Sequence, residues 1–514
     1  MTEPTEATTS RGRASILSPL SAGVVVFGAS AAVLVLEILA GRLLAPYVGV
    51  TLESFTGIIG TVLAGIAAGA WFGGRLSDRK DPRTLLGPML VIGGVLAFLS
   101  IPVVDYLGAS MRGARPAAVV TLAFAGFFAP SAVLSAVSPT VVKMQLTSLD
   151  VTGAVVGRLS AVSTAGGLAG TFVTGFVLVS AAPTRPIIRG VALVLVVAGL
   201  GLWAWLAPPK RPGAGTAIAI AVSSVLSFAA ANPCEYESAY FCAFVVEDED
   251  RPGGRTLWLD TLRHSYVDID DPTHLEFSYA QTMSDVLATI APEGQALDVA
   301  HVGGGGLSLP RYLREVRPGT VSTVLELDPL LPRIAEERLG YVPSDDIRIV
   351  IGDARLNIRD LPDASQDLVI GDAFGGVSVP WHLTTREFLE EVRDTLRPGG
   401  WYALNLIDYP PLGFARAEVA TLQDVFGHVA VLAPAARLDG SEGGNVIVVA
   451  STEPLPTEQI VARNALRGDD ESAVDSDGFT TSPDLSYVDF VGDADVLVDD
   501  HAPVDQLLTP YPAS

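Results

Sequence analysis

Beyond Lys210 the chain contains no lysine. Its three lysines, Lys80, Lys143 and Lys210, all lie ahead of Pro233, and the part that follows is dense in Asp and Glu. That excludes a nucleic-acid binder, which would need a basic footprint to track phosphates. Cysteine is almost as scarce, with two in 514 residues, and the six histidines are scattered. Neither offers a metal constellation, so no metal is expected. Charge is missing from long stretches ahead of Pro233, which excludes an ordinary soluble domain there. Of the 57 acidic and 33 basic residues, 8 and 15 precede Pro233, making that part net +7; the remaining 49 and 18 make the rest net −31. Such an asymmetry argues for two domains in different surroundings. The lysine-free acidic surface looks like that of salt-adapted halophile proteins, and high-GC codon bias with a solubilising acidic face would give the same composition.

Seven apolar stretches can be drawn near 20–40, 54–74, 84–104, 117–138, 159–181, 186–207 and 214–231. Each is roughly 18 to 25 residues, enough to cross a bilayer core of about 30 Å. They predict a multi-pass α-helical membrane bundle over 20–231, preceded by a cytoplasmic tail, 1–19, with the lipid bilayer as partner. No cleavable signal peptide is evident, because "EILAGRLLAPYVG" follows the first run. Arg11 and Arg13, "RLSDRKDPR" (75–83) and "PPKRPG" (208–213) would be cytoplasmic; Arg112, Arg115, Arg185 and Arg189 weaken the bias without reversing it. An odd number of spans then places everything after Ala231 outside the cytoplasm. Cys234 and Cys242 agree, since an oxidising compartment would let them pair; the alternative is two free thiols in a cytoplasmic strand pair. Glu37, inside the first span, is costly unless paired or facing a cavity. It is either a residue of a substrate path or the ion-pair partner of Arg42.

After Asn232 the period changes. A β-rich connecting segment, 232–290, holds the cysteine pair, and 291–514 alternates apolar strands with amphipathic helices, the pattern of a parallel α/β sheet. Strands are predicted at 295–302, 321–328, 347–355, 366–374, 401–407 and 444–451, and helices at 309–316, 330–340 and 384–396. In such a sheet ligands lie beyond the carboxyl ends of the strands, at the switch point. Gly303, Gly304, Gly305 and Gly306 close the first of these strands, Glu326 and Asp328 the second, Asp353 the third and Asp372 the fourth. Glycines allow close approach of the backbone to a ligand, the following helix points N–H groups at it, and an acid ending the second strand can accept ribose hydroxyls. Four such features in register predict a nucleoside-binding domain. The dinucleotide pattern G-x-G-x-x-G fails at Ser308, and His301 reads as a packed residue. "GDDESAVDSDG" (468–478) reads as a flexible acidic loop.

The stretches "HVGGGGLSLPRYL", "LELDP", "GDAR", "GDAFGGVSVPWHLTTREFL", "RPGGWYALNLID" and "LVDDHAPVDQLL" together resemble the spermidine synthase family. More narrowly, they resemble the membrane proteins in which such a domain is fused to a half-transporter-like bundle. The loop "GGRLSDRKDPR" (73–83) also resembles that after the second helix of major facilitator transporters, with Gly74, Asp78, Arg79 and Arg83 in matching roles. The resemblance implies a Rossmann-like fold of the class I methyltransferase and spermidine synthase type, binding decarboxylated S-adenosylmethionine or S-adenosylmethionine. The glycine loop would approach the aminopropyl or methionine moiety, Glu326 would hold the ribose, and Asp353 with Ala354 would frame the adenine. Asp372 would orient the attacking amine, and Glu276 and Tyr279 of "LEFSYAQ" would contribute to the acceptor site. His301 stands where methyltransferases usually carry an acid, which favours the synthase side. Two departures stand out: Gly306 replaces the aspartate of G-G-G-D-G-G, and Gly375 the second carboxylate of D-S-S-D-P. The implied function is aminopropyl transfer to a polyamine or related amine, with a membrane-linked acceptor as one form. The alternatives are a methyltransferase and a non-catalytic ligand-binding module on a half-transporter.

Overall fold

The computed structural model describes residues 17–112, 116–146, 148–206, 212–376 and 378–509. Arg11, Arg13, Arg115, Lys210 and Arg211, part of the charge bias above, lie outside them. The chain divides into two compact units after Ala243.

Among the described residues the first unit holds six helices long and apolar enough to cross a membrane: α1 Pro19–Val48, α2 Leu52–Arg79, α3 Arg83–Gly108, α4 Pro116–Gln145, α5 Thr152–Ala181 and α6 Thr184–Leu206. The seventh apolar stretch forms α7, Ala214–Ala229, of 16 residues. At 1.5 Å per residue that is about 24 Å, short of a hydrocarbon core of about 30 Å. Gly213 and the Asn232-Pro233 pair bound it, so six helices rather than seven have full spanning length.

Glycines bring the helices together. A Cβ at Gly69 of α2 would sit 2.0 Å from the Ala132 carbonyl oxygen of α4, and one at Gly166 of α5 2.3 Å from that of Phe27 in α1. Small residues at these positions let helix backbones touch. Arg42 pairs with Glu237 at 3.5 Å and donates to Thr184 Oγ1 and the carbonyls of Ser238 and Ala239. The guanidinium is thus turned to Glu237, and the ion pair considered between Arg42 and Glu37 does not form. A spacing of five along α1 puts the two side chains on different faces. Asp78 lies in the last turn of α2, so that 73–79 of the stretch read as a loop are helical, and it pairs with Lys143 at 2.7 Å. Cys234 and Cys242 are disulfide-bonded, beside the antiparallel pairing of β1, Tyr236–Glu237, with β2, Cys242–Glu247.

In the second unit β3, Gly254–Leu259, and β4, Leu262–Asp268, form a hairpin, followed by helix α8, Ser278–Thr289. Then come β5 Asp298–Val302, β6 Val321–Glu326, β7 Ile347–Ile351, β8 Gln366–Gly371, β9 Leu396–Asp408, β10 His428–Pro434, β11 Gly444–Ser451 and β12 Glu471–Asp475. They form one sheet in the order 12-10-11-9-8-5-6-7. Strands β5 to β9 pair in parallel and β10 to β12 join antiparallel at one side. Helices α9, Ser308–Val316, and α10, Leu330–Arg338, return the chain between β5, β6 and β7. Alternate residues bury on opposite faces: Leu368, Ile370 and Ala403 in one core, Val369, Tyr402 and Leu404 in the other. The order reverses between β5 and β8, which puts the switch point beside the glycine loop and Asp372.

The acidic segment 468–478 is not a loop throughout. It contains β12, whose Ala473 and Val474 are fully buried and lie opposite Leu432 and Val431 of β10. Two apolar side chains within the acidic run suffice to seat it on the sheet edge.

Candidate active site

At the end of β5 the chain turns through Gly303, with φ +95°, and Gly305, with φ +49°. A Cβ at Gly303 would lie 2.6 Å from the carbonyl oxygen of Asp372, so two strand ends meet at a distance only glycine allows. Glu326, at the end of β6, lies under this turn. Its Oε2 accepts from the N–H groups of Gly304 (2.9 Å) and Gly305 (3.3 Å), and its Oε1 from that of Asp328 (2.8 Å). Burial pushes its pKa up while these N–H bonds pull against that shift.

A cavity of about 320 Å³ opens between β4, the start of α8 and the ends of β5, β8 and β9. Asp372 faces it from the end of β8. Asn405 Nδ2 donates to its Oδ1 at 2.9 Å and the Tyr279 hydroxyl to its Oδ2 at 3.1 Å; Asn445 in turn donates to Asn405 Oδ1 at 2.9 Å. Among the described residues no cation pairs with this carboxylate, and burial raises its pKa against the two hydrogen bonds. Burial also raises that of Tyr279. His264 lines the cavity from β4, and burial pushes its pKa down to about 4, so the imidazole is neutral at physiological pH. The next residue, Ser265, accepts from the Gly306 N–H at 2.9 Å.

No family model matches the chain. A polyamine aminopropyltransferase of Vibrio vulnificus is 31% identical over 203 residues, which cover 39% of this chain and 64% of that protein. A second, from Chromobacterium violaceum, is 26% identical over 162 residues, 31% of this chain and 60% of that protein. The chain thus spans under two thirds of the length of these curated relatives. Part of this protein is spermidine synthase-like. The human eEF1A lysine and N-terminal methyltransferase is 28% identical over 136 residues, 24% of this chain and 19% of that protein. Among solved structures, a probable spermidine synthase from Corynebacterium glutamicum is 28% identical with a TM-score of 0.47, covering 55% of this chain and all of that one.

Within this site the residues singled out from sequence fall into three groups. Gly303, Gly304, Gly305, Glu276, Tyr279 and Asp372 line the cavity. Gly306 and Glu326 lie just behind it. At Gly306 an added Cβ would meet the Ser265 Cβ at 2.9 Å and Leu339 at 3.2 Å, so the place of the missing aspartate is filled. Asp328, Asp353 and Ala354 stand apart from the cavity. Asp328 accepts from the Leu330 N–H at 2.9 Å at the start of α10. Asp353 caps the short helix Ala354–Ile358 through the N–H groups of Arg355 and Leu356 and pairs with His382 at 3.0 Å; Ala354 is buried behind it. His301 shares a hydrogen bond with Ser322 at 3.1 Å, and burial holds its pKa down at about 3.

His264, Ser265, Asn405 and Asn445 also shape the site, and sequence reasoning does not single them out. Asn405 carries a signal, as a polar residue inside the apolar run "WYALNLI". His264 and Ser265 carry none, because the hairpin brings β4 over the glycine loop from a separate stretch of chain, and Asn445 reaches the site through the pairing of β11 with β9.

Proposed function

We propose that the second unit transfers an aminopropyl group from decarboxylated S-adenosylmethionine to an amine. The observation that carries this reading is Asp372: a buried carboxylate at the switch point, facing a cavity, with both oxygens fixed by neutral donors. The names of the curated relatives support the same chemistry. The sulfonium supplies an electrophilic carbon, so the protein has no bond to activate there. Its task is to hold a neutral amine in line with that carbon and take up or pass on a proton. Asp372 orients the amine, and Tyr279 and Asn405 fix the carboxylate. Glu326 has about four acceptor positions. Three are engaged by N–H groups, which leaves one for a ribose hydroxyl. Asp353 and Ala354, just past the end of β7, are assigned to the adenine end.

Methyl transfer is the second reading, supported by the eEF1A methyltransferase relatives. It calls for an apolar acceptor cleft and an open place at Gly306 for the cofactor's carboxylate. Asp372, Asn405 and Asn445 line the cleft and Ser265 fills the place, so aminopropyl transfer is preferred.

The lipid bilayer is the proposed environment of the six long helices. Helix α7 decides the side of the second unit. If it crosses, the Cys234–Cys242 bond lies in an oxidising compartment; if it does not, the unit shares the cytoplasm with the enzymes that make sulfonium cofactors. The decisive experiment for the activity is calorimetric titration of the full chain in detergent with S-adenosylmethionine and its decarboxylated form. At least tenfold tighter binding of the decarboxylated form is expected, a gap of about 1.4 kcal/mol. Preference for the carboxylated form would move the reading to methyl transfer, and binding of neither would overturn both.

A further inference from the structure

A diamine or polyamine acceptor brings a second ammonium group, which needs a second carboxylate out of water. Among the described residues the cleft has no second buried carboxylate, since Glu276, which lines it, is exposed. Gly375 has no side chain to offer, the place at Gly306 is filled, and Glu276 is 43% exposed and paired with His274 at 3.2 Å. An exposed cation stands in the cleft lining instead. The guanidinium of Arg263, on β4, lies 5.0 Å over the Phe277 ring, whose centroid is 6.0 Å from that of Tyr279. The Tyr279 hydroxyl reaches Asp372. Two aromatic rings thus lead from the carboxylate that orients the amine to a cation that has no ion-pair partner among the described residues. Asp248 feels its charge without closing a salt bridge and is itself bonded to the Tyr266 hydroxyl. A distal ammonium there would meet like charge, whereas a carboxylate would meet a planar fork of donors made to its geometry.

We infer that the acceptor is an amine whose far end is anionic, and that Arg263 reads that end. This rests on the aminopropyl reading above. In the reaction the amine lone pair forms the new N–C bond, the C–S bond breaks with its electrons left on sulfur, and the proton shed by nitrogen passes to Asp372 or water.

The test uses the full chain in nanodiscs, decarboxylated S-adenosylmethionine labelled in the aminopropyl group, and two acceptors of matched length, 4-aminobutanoate and 1,4-diaminobutane. The wild type should prefer the aminobutanoate by about tenfold or more in kcat/KM, the scale of one charge-assisted hydrogen bond. Arg263→Glu should invert the preference; its gain of diamine transfer cannot come from misfolding. Preference of the wild type for the diamine would overturn the inference and leave aminopropyl transfer standing. A preference that Arg263→Glu leaves unchanged would overturn the role of Arg263. Transfer to neither acceptor would overturn both the inference and the activity.

Discussion

Both units depend on glycines at close contacts, for different physical reasons. In the bundle, Gly69 and Gly166 are helical, and what they need is the missing side chain: a methyl group would enter the backbone of a neighbouring helix. In the α/β unit, Gly303 needs the missing side chain and a left-handed backbone together, because a strand must stop and turn against Asp372. The first kind of glycine joins preformed elements and the second shapes a site. A methyl group added to each should therefore act on different observables.

The largest effect is expected where that turn meets its carboxylate. Asp372→Asn should lower aminopropyl transfer by about 10²- to 10⁴-fold, the usual contribution of a positioned acid or base. The melting temperature should not fall, since the substitution removes a buried charge. In the wild type the ionised form is the useful one and burial favours the neutral form, so activity should rise with pH through a midpoint above the ordinary aspartate value of 3.8. The rate–pH profile of wild type and variant measures both, and a variant with the wild-type profile would remove Asp372 from the mechanism. Next, Gly303→Ala should weaken binding of the decarboxylated cofactor by at least about tenfold, since strain of about 1 to 3 kcal/mol at φ +95° adds to the clash with the Asp372 carbonyl. Calorimetry is the check, and unchanged affinity would separate the turn from the cofactor.

Legibility from sequence follows the range of the interactions. Strands β5 to β9 and β11, the glycine turn and Asp372 announce themselves through a local period and a position at a strand end, whereas β10 is not among the strands read from sequence. Strand β12 is hidden because two buried apolar side chains do not outweigh an acidic run. The partner of Arg42 lies far along the chain, beyond the last helix of the bundle, and no local spacing points to Glu237. The same holds for His264 and Ser265, which reach the glycine loop only after the hairpin folds. The seventh span is legible as apolar and illegible in its length, which depends on where the helix starts and stops.

In the bundle the expected effects are smaller and purely structural. Gly69→Ala places a methyl group 2.0 Å from the Ala132 carbonyl oxygen and should cost about 1 to 3 kcal/mol as α2 and α4 separate. Gly74→Ala, on the same helix but with nothing within 4 Å of the added carbon, should be nearly silent. Thermal unfolding in detergent compares the two. Cofactor affinity should follow neither, and a loss of affinity in Gly69→Ala would break the division of roles between the two kinds of glycine.

The smallest effect concerns buried charge, where the two units also differ. In the bundle two largely buried arginines are paired, Arg185 2.7 Å from Asp105 and Arg42 beside Glu237. The α/β unit leaves Glu418 fully buried, with no hydrogen-bond partner for either oxygen among the described residues. Burial pushes its pKa well above the usual 4.5, so the folded state holds a proton that the unfolded chain releases. The sign follows: stability from this group is greatest below pH 4.5 and is lost as pH rises through the raised value. Glu418→Leu removes both the lost hydrogen bonds and the proton linkage. It should raise stability at neutral pH by about 1 to 2 kcal/mol, and flatten the decline with pH above 4.5. Chemical denaturation across that pH range reads both effects. A destabilised variant with an unchanged slope would mean that Glu418 has a partner when the protein is in solution.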